Sequence, residues 1–428
     1  MLKLTIKYTH GRTVYKRYII KALPIFFNRE FYKNTYIEEL ENKFKEFIGI
    51  KYAIATSSAR FAIHLIFKCL DFEKGKTEII IPAYMPRIVA GALKAIGLKL
   101  VFVDIDPRNL NIDSNKIEEK ITKNTKYILI VHLNGIPCDI DNITKIAKKY
   151  NLFLIEDSAQ AFNATYKGKK VGSFGYASVI SFSKFKNFNT CGGGMVLTND
   201  KILNDKIRKE IEKLPHPGRL KTCKFIYDAL IDSILRTNTI HRFIYLPIMN
   251  FSIKIGLMNR KKLLKIIFRG RNSGHIKSVL NIEEFYRVFG LKYTNLQAKM
   301  GLSEFSDSKF WKRIKQNDDN VNMLHEKIGA TTFLTKDIEP CYFFCFIQIK
   351  NPKKIYEQLA KEKIQTNYFR YPNLIQEKIL GDQKKQYPIV EKTITNMLYL
   401  PFRHPLKQRD IKKIIEKLKK FNPEIIKY

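Results

Sequence analysis

Long uncharged apolar runs are missing from this 428-residue chain. None reaches the roughly 18 residues of a bilayer-crossing helix, so no transmembrane span is expected. The opening Met1-Leu2-Lys3-Leu4-Thr5-Ile6-Lys7 breaks its apolar character too often for a secretory signal. Cysteine is scarce: six residues, scattered, with no CxxC pair and no His/Cys group at metal-ligand spacing. Cys341 and Cys345, four apart in an apolar stretch, read as core residues. The expectation is a reduced, cytoplasmic setting and no metal site. Neither the GxGxxG fingerprint nor the P-loop pattern occurs, which argues against a nucleotide-binding Gly-rich loop. Internal repeats and low-complexity stretches are absent.

Acidic residues are also in short supply, 40 against 77 Lys and Arg, for a formal net charge of +37. Such an excess raises nucleic acid, an anionic membrane surface or anionic small molecules as partners. The basic residues are spread along the whole chain, as in Lys145 to Lys149 and Lys412 to Lys420. That reads as a solvated lysine-rich surface. No interleaved aromatic platform or nucleic-acid motif accompanies it, so no nucleic acid is expected.

What is present is alternation of strand and helix signals over residues 36–200. Ile37, Leu40, Phe44, Phe47 and Ile48 form one apolar stripe at helical spacing. Ser58 to Leu70, Ile88 to Ile96 and Ile140 to Tyr150 read as further helices. Strands are expected at Tyr52 to Ala55, Glu78 to Ile81, Lys99 to Val103, Tyr127 to Val131 and Leu152 to Ile155, and again at Ser178 to Phe182 and Met195 to Thr198. Continuous β-branched runs indicate strands covered on both faces, as in a parallel sheet between helices. Tyr166-Lys167-Gly168-Lys169-Lys170 reads as a hairpin turn. The chain divides into an N-terminal segment (1–35), a large α/β domain (36–200), a basic, aromatic-rich helical insert (201–289) and a smaller C-terminal α+β domain (290–428). The insert reads as a helical cap, a dimer contact or an amphipathic membrane-surface patch. In the last domain a strand is expected near Tyr342 to Ile349, with helices at Ile355 to Glu362 and Asp410 to Phe421.

Chemistry in such sheets gathers beyond the carboxyl ends of the strands, where Asp157, Ser181 and His132 all fall. Lys186 follows Ser181 in the run Ser181-Phe182-Ser183-Lys184-Phe185-Lys186-Asn187, ahead of the triplet Gly192-Gly193-Gly194. A lysine amine can form a Schiff base with an aldehyde; Lys184 competes for the role. The Asp157 carboxylate can keep a pyridine nitrogen protonated, and Gln160, three residues on, can reach a ring oxygen. Ser58, Ala59 and Arg60 open a helix whose N-terminal amides suit a phosphate, with Ser181 adding a hydroxyl. The glycines permit close backbone approach. Together these groups fit pyridoxal 5'-phosphate.

The ordered pieces SARFAIHL (58–65), VFVDID (101–106), VHLNGIPCDID (131–141), IEDSAQA (155–161), YKGKKVGSFG (166–175), SFSKFKN (181–187), GGMVLTND (193–200), TNLQAKMGL (294–302) and LYLP (398–401) resemble the DegT/StrS family of sugar aminotransferases. The resemblance implies a fold type I pyridoxal-phosphate transferase: a three-layer large domain on a mainly parallel sheet, and a smaller α+β domain. It implies Lys186 as the Schiff-base lysine, with Asp157 on the pyridinium nitrogen, Gln160 on the ring oxygen and Ser181 on the phosphate. It further implies an amino transfer, from glutamate, to a nucleotide-linked keto sugar in amino-sugar or polysaccharide biosynthesis. Members are homodimers that borrow a phosphate contact from the second subunit. That residue would fall in or near the insert, and Lys292 is taken for it. The chain departs from the family at Ala59-Arg60, where Gly-Thr is usual. It departs again at Met85-Pro86, where Thr and a ring-stacking aromatic are usual, with Tyr84 just before. These departures keep a second expectation open, a cofactor-binding regulator or scaffold with little turnover.

Overall fold

The computed structural model describes residues 16–184, 186–235, 282–330, 335–368, 387–402 and 406–426. The described part of the segment before position 36 is mostly helical: α1 (Lys16–Phe27) precedes α2 (Thr35–Ile48). Helix α2 turns its buried Leu40, Glu41, Phe44 and Ile48 inward. It ends at Gly49, whose φ of 78° is the left-handed cap that glycine adopts without strain.

Strand and helix then alternate through β1 (Tyr52–Thr56), α3 (Ala59–Cys69), β2 (Glu78–Pro82), α4 (Arg87–Ile96), β3 (Lys99–Val103), β4 (Thr125–Val131), α5 (Ile140–Lys149) and β5 (Phe153–Asp157). A short hairpin follows, β6 (Thr165–Tyr166) and β7 (Lys169–Lys170), then β8 (Ala177–Ser181) and β9 (Gly194–Thr198). Seven strands form one sheet in the order β1-β9-β8-β5-β4-β2-β3. All run parallel except β9, which is antiparallel to both its neighbours. The continuous apolar runs are buried on both faces. Ile79 and Ile81 enter the core shared with α3 and α4, whereas Ile80, Ile128 and Ile130 enter the core under α5. A third cluster, around Phe44, Phe162, Phe182 and Phe188, packs α2 over β1, β8 and β9. This is a three-layer α/β domain. In the β6–β7 turn both Lys167 (φ 49°) and Gly168 (φ 75°) are left-handed, the twist a two-residue hairpin requires.

Past the sheet, α6 (Lys201–Glu212) packs on β1, β9 and α3, and α7 (Gly218–Leu235) lies against α1. The middle of the basic aromatic-rich stretch, 236–281, is outside the described residues, as are 1–15. The helix Ile282–Phe289 returns to the large domain. Phe285 lies 6.0 Å from the Phe61 ring of α3, and Tyr286 accepts hydrogen bonds from Lys68 (3.0 Å) and meets His64 Nε2 at 2.9 Å. The helix Asn295–Phe305 packs on α1 and α2, and the 21-residue helix Ser308–Ile328 leads into the smaller domain. There β11 (Cys345–Gln348) pairs antiparallel with β12 (Met397–Leu400), beneath helices Pro352–Lys361 and Gln408–Phe421. A two-residue strand, β10 (Ile338–Glu339), adds to β6 and ties the start of the small domain to the large one.

Candidate cofactor site

Parallel pairing brings the carboxyl ends of β4, β5 and β8 side by side, with Val131 opposite Asp157 and Asp157 opposite Val179. The two acids that end β5 point to opposite faces, as strand alternation demands. Glu156 is fully buried and accepts from Gly172 N (2.7 Å), Phe174 N (2.8 Å), Gly175 N (2.6 Å) and His132 Nε2 (3.0 Å). His132 Nδ1 accepts from Cys138 N at 3.1 Å, which places the ring proton on Nε2. Glu156 is thus a structural carboxylate that closes the 172–175 loop over the sheet.

Asp157 is different. It is buried, its Oδ1 accepts from Ala159 N at 3.0 Å, and among the described residues no group donates to Oδ2. Burial raises its pKa above the usual carboxylate range, opposed by the Ala159 N–H and by the charges of Lys186 and His132. A buried carboxylate with a spare oxygen is stabilised by a cationic N–H donor, and a protonated pyridine nitrogen is one. Gln160, also buried, accepts from Asn134 N through Oε1 at 2.9 Å, which leaves its NH2 end for an oxygen on a ligand.

The loop carrying Lys186 is fastened on both sides. Phe182 N donates to Gly193 O, and Thr190 N and Gly192 N both return to Phe182 O. Asn187, buried, donates to Cys341 Sγ at 3.1 Å. Lys186 Nζ sits 4.5 Å from the centre of the Phe343 ring. The charge of Lys186 lowers the pKa of Asp157. Phe343 lies 157 positions further along the chain, and no local pattern announces its contact with Lys186.

The phosphate candidates meet at the other end of the site. Gly194 is opposite Ser181 on one side and Thr56 on the other, and Gly193 bridges to Ser58. A side chain at Gly194 would put its Cβ 2.4 Å from Ala59 N, and one at Gly193 would meet the Tyr293 ring at 2.3 Å. Glycine is therefore required for β9 to pass this close to the start of α3. Ser58 caps that helix, accepting from Phe61 N at 3.2 Å. Ser181 Oγ donates to Ser183 Oγ at 3.3 Å. The Arg60 guanidinium stacks 4.3 Å from the centre of the Phe289 ring. Its Nη1 is sealed from water with no hydrogen-bond partner among the described residues, and burial lowers its pKa to about 10. A half-buried guanidinium with an unsatisfied N–H beside a helix N-terminus suits a phosphate. The Lys292 backbone N–H donates to Pro215 O, and its charge acts on His216.

A buried carboxylate, a lysine whose charge acts on it, and amides, hydroxyls and a cation around the start of α3 match pyridoxal phosphate in both charge and polarity. The three-layer fold with this end-of-strand site is that of fold type I pyridoxal-phosphate aminotransferases. A profile of the DegT/DnrJ/EryC1/StrS aminotransferase family matches residues 22–227 and 258–419, and the chain belongs to that family. It is 44% identical over 174 residues to GDP-perosamine synthase of Escherichia coli O157:H7, covering 41% of this chain and 48% of that protein. It is likewise 44% identical over 174 residues to the dTDP-3-amino-3,6-dideoxy-alpha-D-galactopyranose transaminase of Aneurinibacillus thermoaerophilus, covering 40% and 47%. The chain thus spans about half the length of these curated relatives. A Streptococcus pneumoniae protein solved in its PLP form superposes with a TM-score of 0.70 at 19% identity, over 97% of this chain and 98% of that one. No helix among the described residues is long and apolar enough to cross a membrane.

Proposed function

We propose that this protein is a pyridoxal-phosphate-dependent aminotransferase that takes an amino group from glutamate and places it on a nucleotide-linked keto sugar, for amino-sugar or polysaccharide biosynthesis. The observation that carries the proposal is the buried Asp157 at the end of β5, its Oδ1 accepting from Ala159 N, with the charge of Lys186 acting on it from the loop after β8. The names of the relatives, a GDP-sugar synthase and a dTDP-sugar transaminase, support the substrate class.

When bound, the cofactor supplies an aldehyde and an electron-accepting ring. The chain's own groups do the rest. Asp157 keeps the ring nitrogen protonated. Gln160 presents its NH2 to the ring oxygen, because Asn134 N–H already occupies Oε1. Ser58, Ala59 N–H, Ser181 and the charge of Arg60 hold the phosphate. Lys186 would hold the cofactor, and its Nζ would move the proton at the substrate carbon. Tyr84 or Pro86 covers the ring. The reading includes a cytoplasmic homodimer in which Lys292 reaches toward the second copy, and a peripheral membrane contact through 201–285.

The test is spectroscopic. Purified full-length protein given pyridoxal phosphate should turn yellow, bleach with excess L-glutamate, and regain its colour when a nucleotide-linked keto sugar is added. A yellow protein that no amino donor bleaches contradicts amino transfer and supports the regulator or scaffold reading, which the Ala59-Arg60 and Met85-Pro86 departures motivate.

A further inference from the structure

The helix Ile282–Phe289, which closes the basic insert, lies along α3 in a matched, antiparallel order. Phe289 meets Arg60 in the first turn of α3. Phe285 meets the rings of Phe61 (6.0 Å between centres) and His64 (5.2 Å). Tyr286 meets His64 Nε2 (2.9 Å) and, further along, Lys68 Nζ (3.0 Å). Lys68 also pairs with Glu210 of α6 at 2.5 Å. Residues 285, 286 and 289 share one helical face, and so do 60, 61, 64 and 68. The short helix is thus registered on α3, and its carboxyl end arrives at the turn proposed to hold the phosphate. There the Phe289 carbonyl accepts from Ser57 Oγ, so the chain just before α3 is fastened to the same residue.

Arg60 is the group on which this contact acts. Its guanidinium stacks 4.3 Å from the centre of the Phe289 ring, and Nη1 has no hydrogen-bond partner among the described residues. A free arginine side chain samples many rotamers, which a ligand would have to freeze on binding. Phe289 removes that freedom beforehand. It is 7% exposed, and its own ring is held by Phe285 at 5.2 Å. A guanidinium held by its face keeps its N–H edge available to an anion.

We infer that Phe289 is a positioning residue for the cofactor's phosphate: it holds Arg60 by the guanidinium face and turns the N–H edge over to the anion. The inference rests on the aminotransferase reading above and adds the closing helix of the insert to the phosphate subsite. The test titrates full-length apoprotein with pyridoxal 5'-phosphate and with pyridoxal, which has the same ring and aldehyde but no phosphate, and follows absorbance. Phe289→Leu keeps apolar bulk and removes the ring. It should weaken pyridoxal 5'-phosphate about 5- to 10-fold, the worth of one partly desolvated cation–π contact, and leave pyridoxal within about twofold. Phe289→Trp should restore the parent's preference for the phosphorylated ligand. In an Arg60→Gln background Phe289→Leu should have no further effect, because it acts through the guanidinium. Equal weakening of both ligands with a lower Tm means packing alone and overturns the inference. An unchanged affinity for pyridoxal 5'-phosphate, or a loss that persists without Arg60, overturns it too. A phosphate preference that depends on Phe289, in a protein that no amino donor bleaches, removes the aminotransferase reading alone. An unchanged preference in a protein that completes both half-reactions removes this inference alone.

Discussion

Gly194→Ala is the sharpest perturbation of the phosphate end of the site. An ideal Cβ at 194 lies 2.4 Å from Ala59 N, 2.7 Å from Ser58 C and 2.8 Å from Ala59 Cα. All three are backbone atoms, so no rotamer change relieves the clash. An ordinary contact needs about 3.5 Å, so β9 and the start of α3 must separate by about 1 Å. Overpacking of this kind costs about 1–3 kcal/mol. The displaced atoms are the amides proposed to hold the phosphate, so cofactor affinity falls with stability, by about tenfold for each 1.4 kcal/mol. Gly49→Ala is the matched control. Gly49 has φ 78° and nothing within 4 Å of its would-be Cβ, so the substitution costs about 1 kcal/mol of left-handed strain and leaves the site untouched. Fluorescence titration of apoprotein with pyridoxal phosphate, together with thermal melts, reads both quantities. If Gly194→Ala matches Gly49→Ala in cofactor affinity, the placement of the phosphate against α3 is wrong.

Three further outcomes are expected. Asp157→Asn keeps the acceptor for Ala159 N but loses the charge opposite Lys186; stopped-flow absorbance should record the glutamate step slowed by about 100-fold or more, and an unchanged rate would remove Asp157 from the site. Glu156→Ala orphans four donors, three backbone amides and His132 Nε2, and should cost about 3–5 kcal/mol in urea unfolding; a loss below about 1 kcal/mol would contradict its structural role. His64 is held down to about 4 in the fold, first by burial and then by Lys68, against 6.5 when free. The folded state therefore binds fewer protons between those values, and stability should rise with pH from about 4 to 6.5, by up to about 3 kcal/mol. In His64→Gln that part of the slope should vanish, and identical pH profiles would refute the assignment.

Much of the large domain was legible because its signals are local. The runs at 79–81 and 127–131 are buried strands because little polar interrupts them, 177–180 is one despite Ser178, whose hydroxyl bonds Gly172 O, and the Lys167-Gly168 turn declares itself by composition. The grouping of Asp157, Ser181 and His132 near strand ends followed from parallel topology alone. Alternation along β5 further divides Glu156 from Asp157, one to the 172–175 loop and one to the site. What the sequence withheld depends on contacts between distant positions. Phe343 reaches Lys186, Phe289 takes the Arg60 guanidinium, and Asn134 is locked by Phe343 and Gln160, with no periodicity to reveal any of them. The unsatisfied Nη1 of Arg60 is likewise invisible in a string of letters, because a missing partner is a property of three-dimensional packing.

The proposed chemistry depends on one nitrogen, Nζ of Lys186. Borohydride reduction of the pyridoxal-phosphate-loaded protein, followed by peptide mapping in a mass spectrometer, should find the pyridoxyl group on Lys186 and lose it in Lys186→Ala. A label on Lys184, or no labelled peptide from saturated protein, would contradict the account.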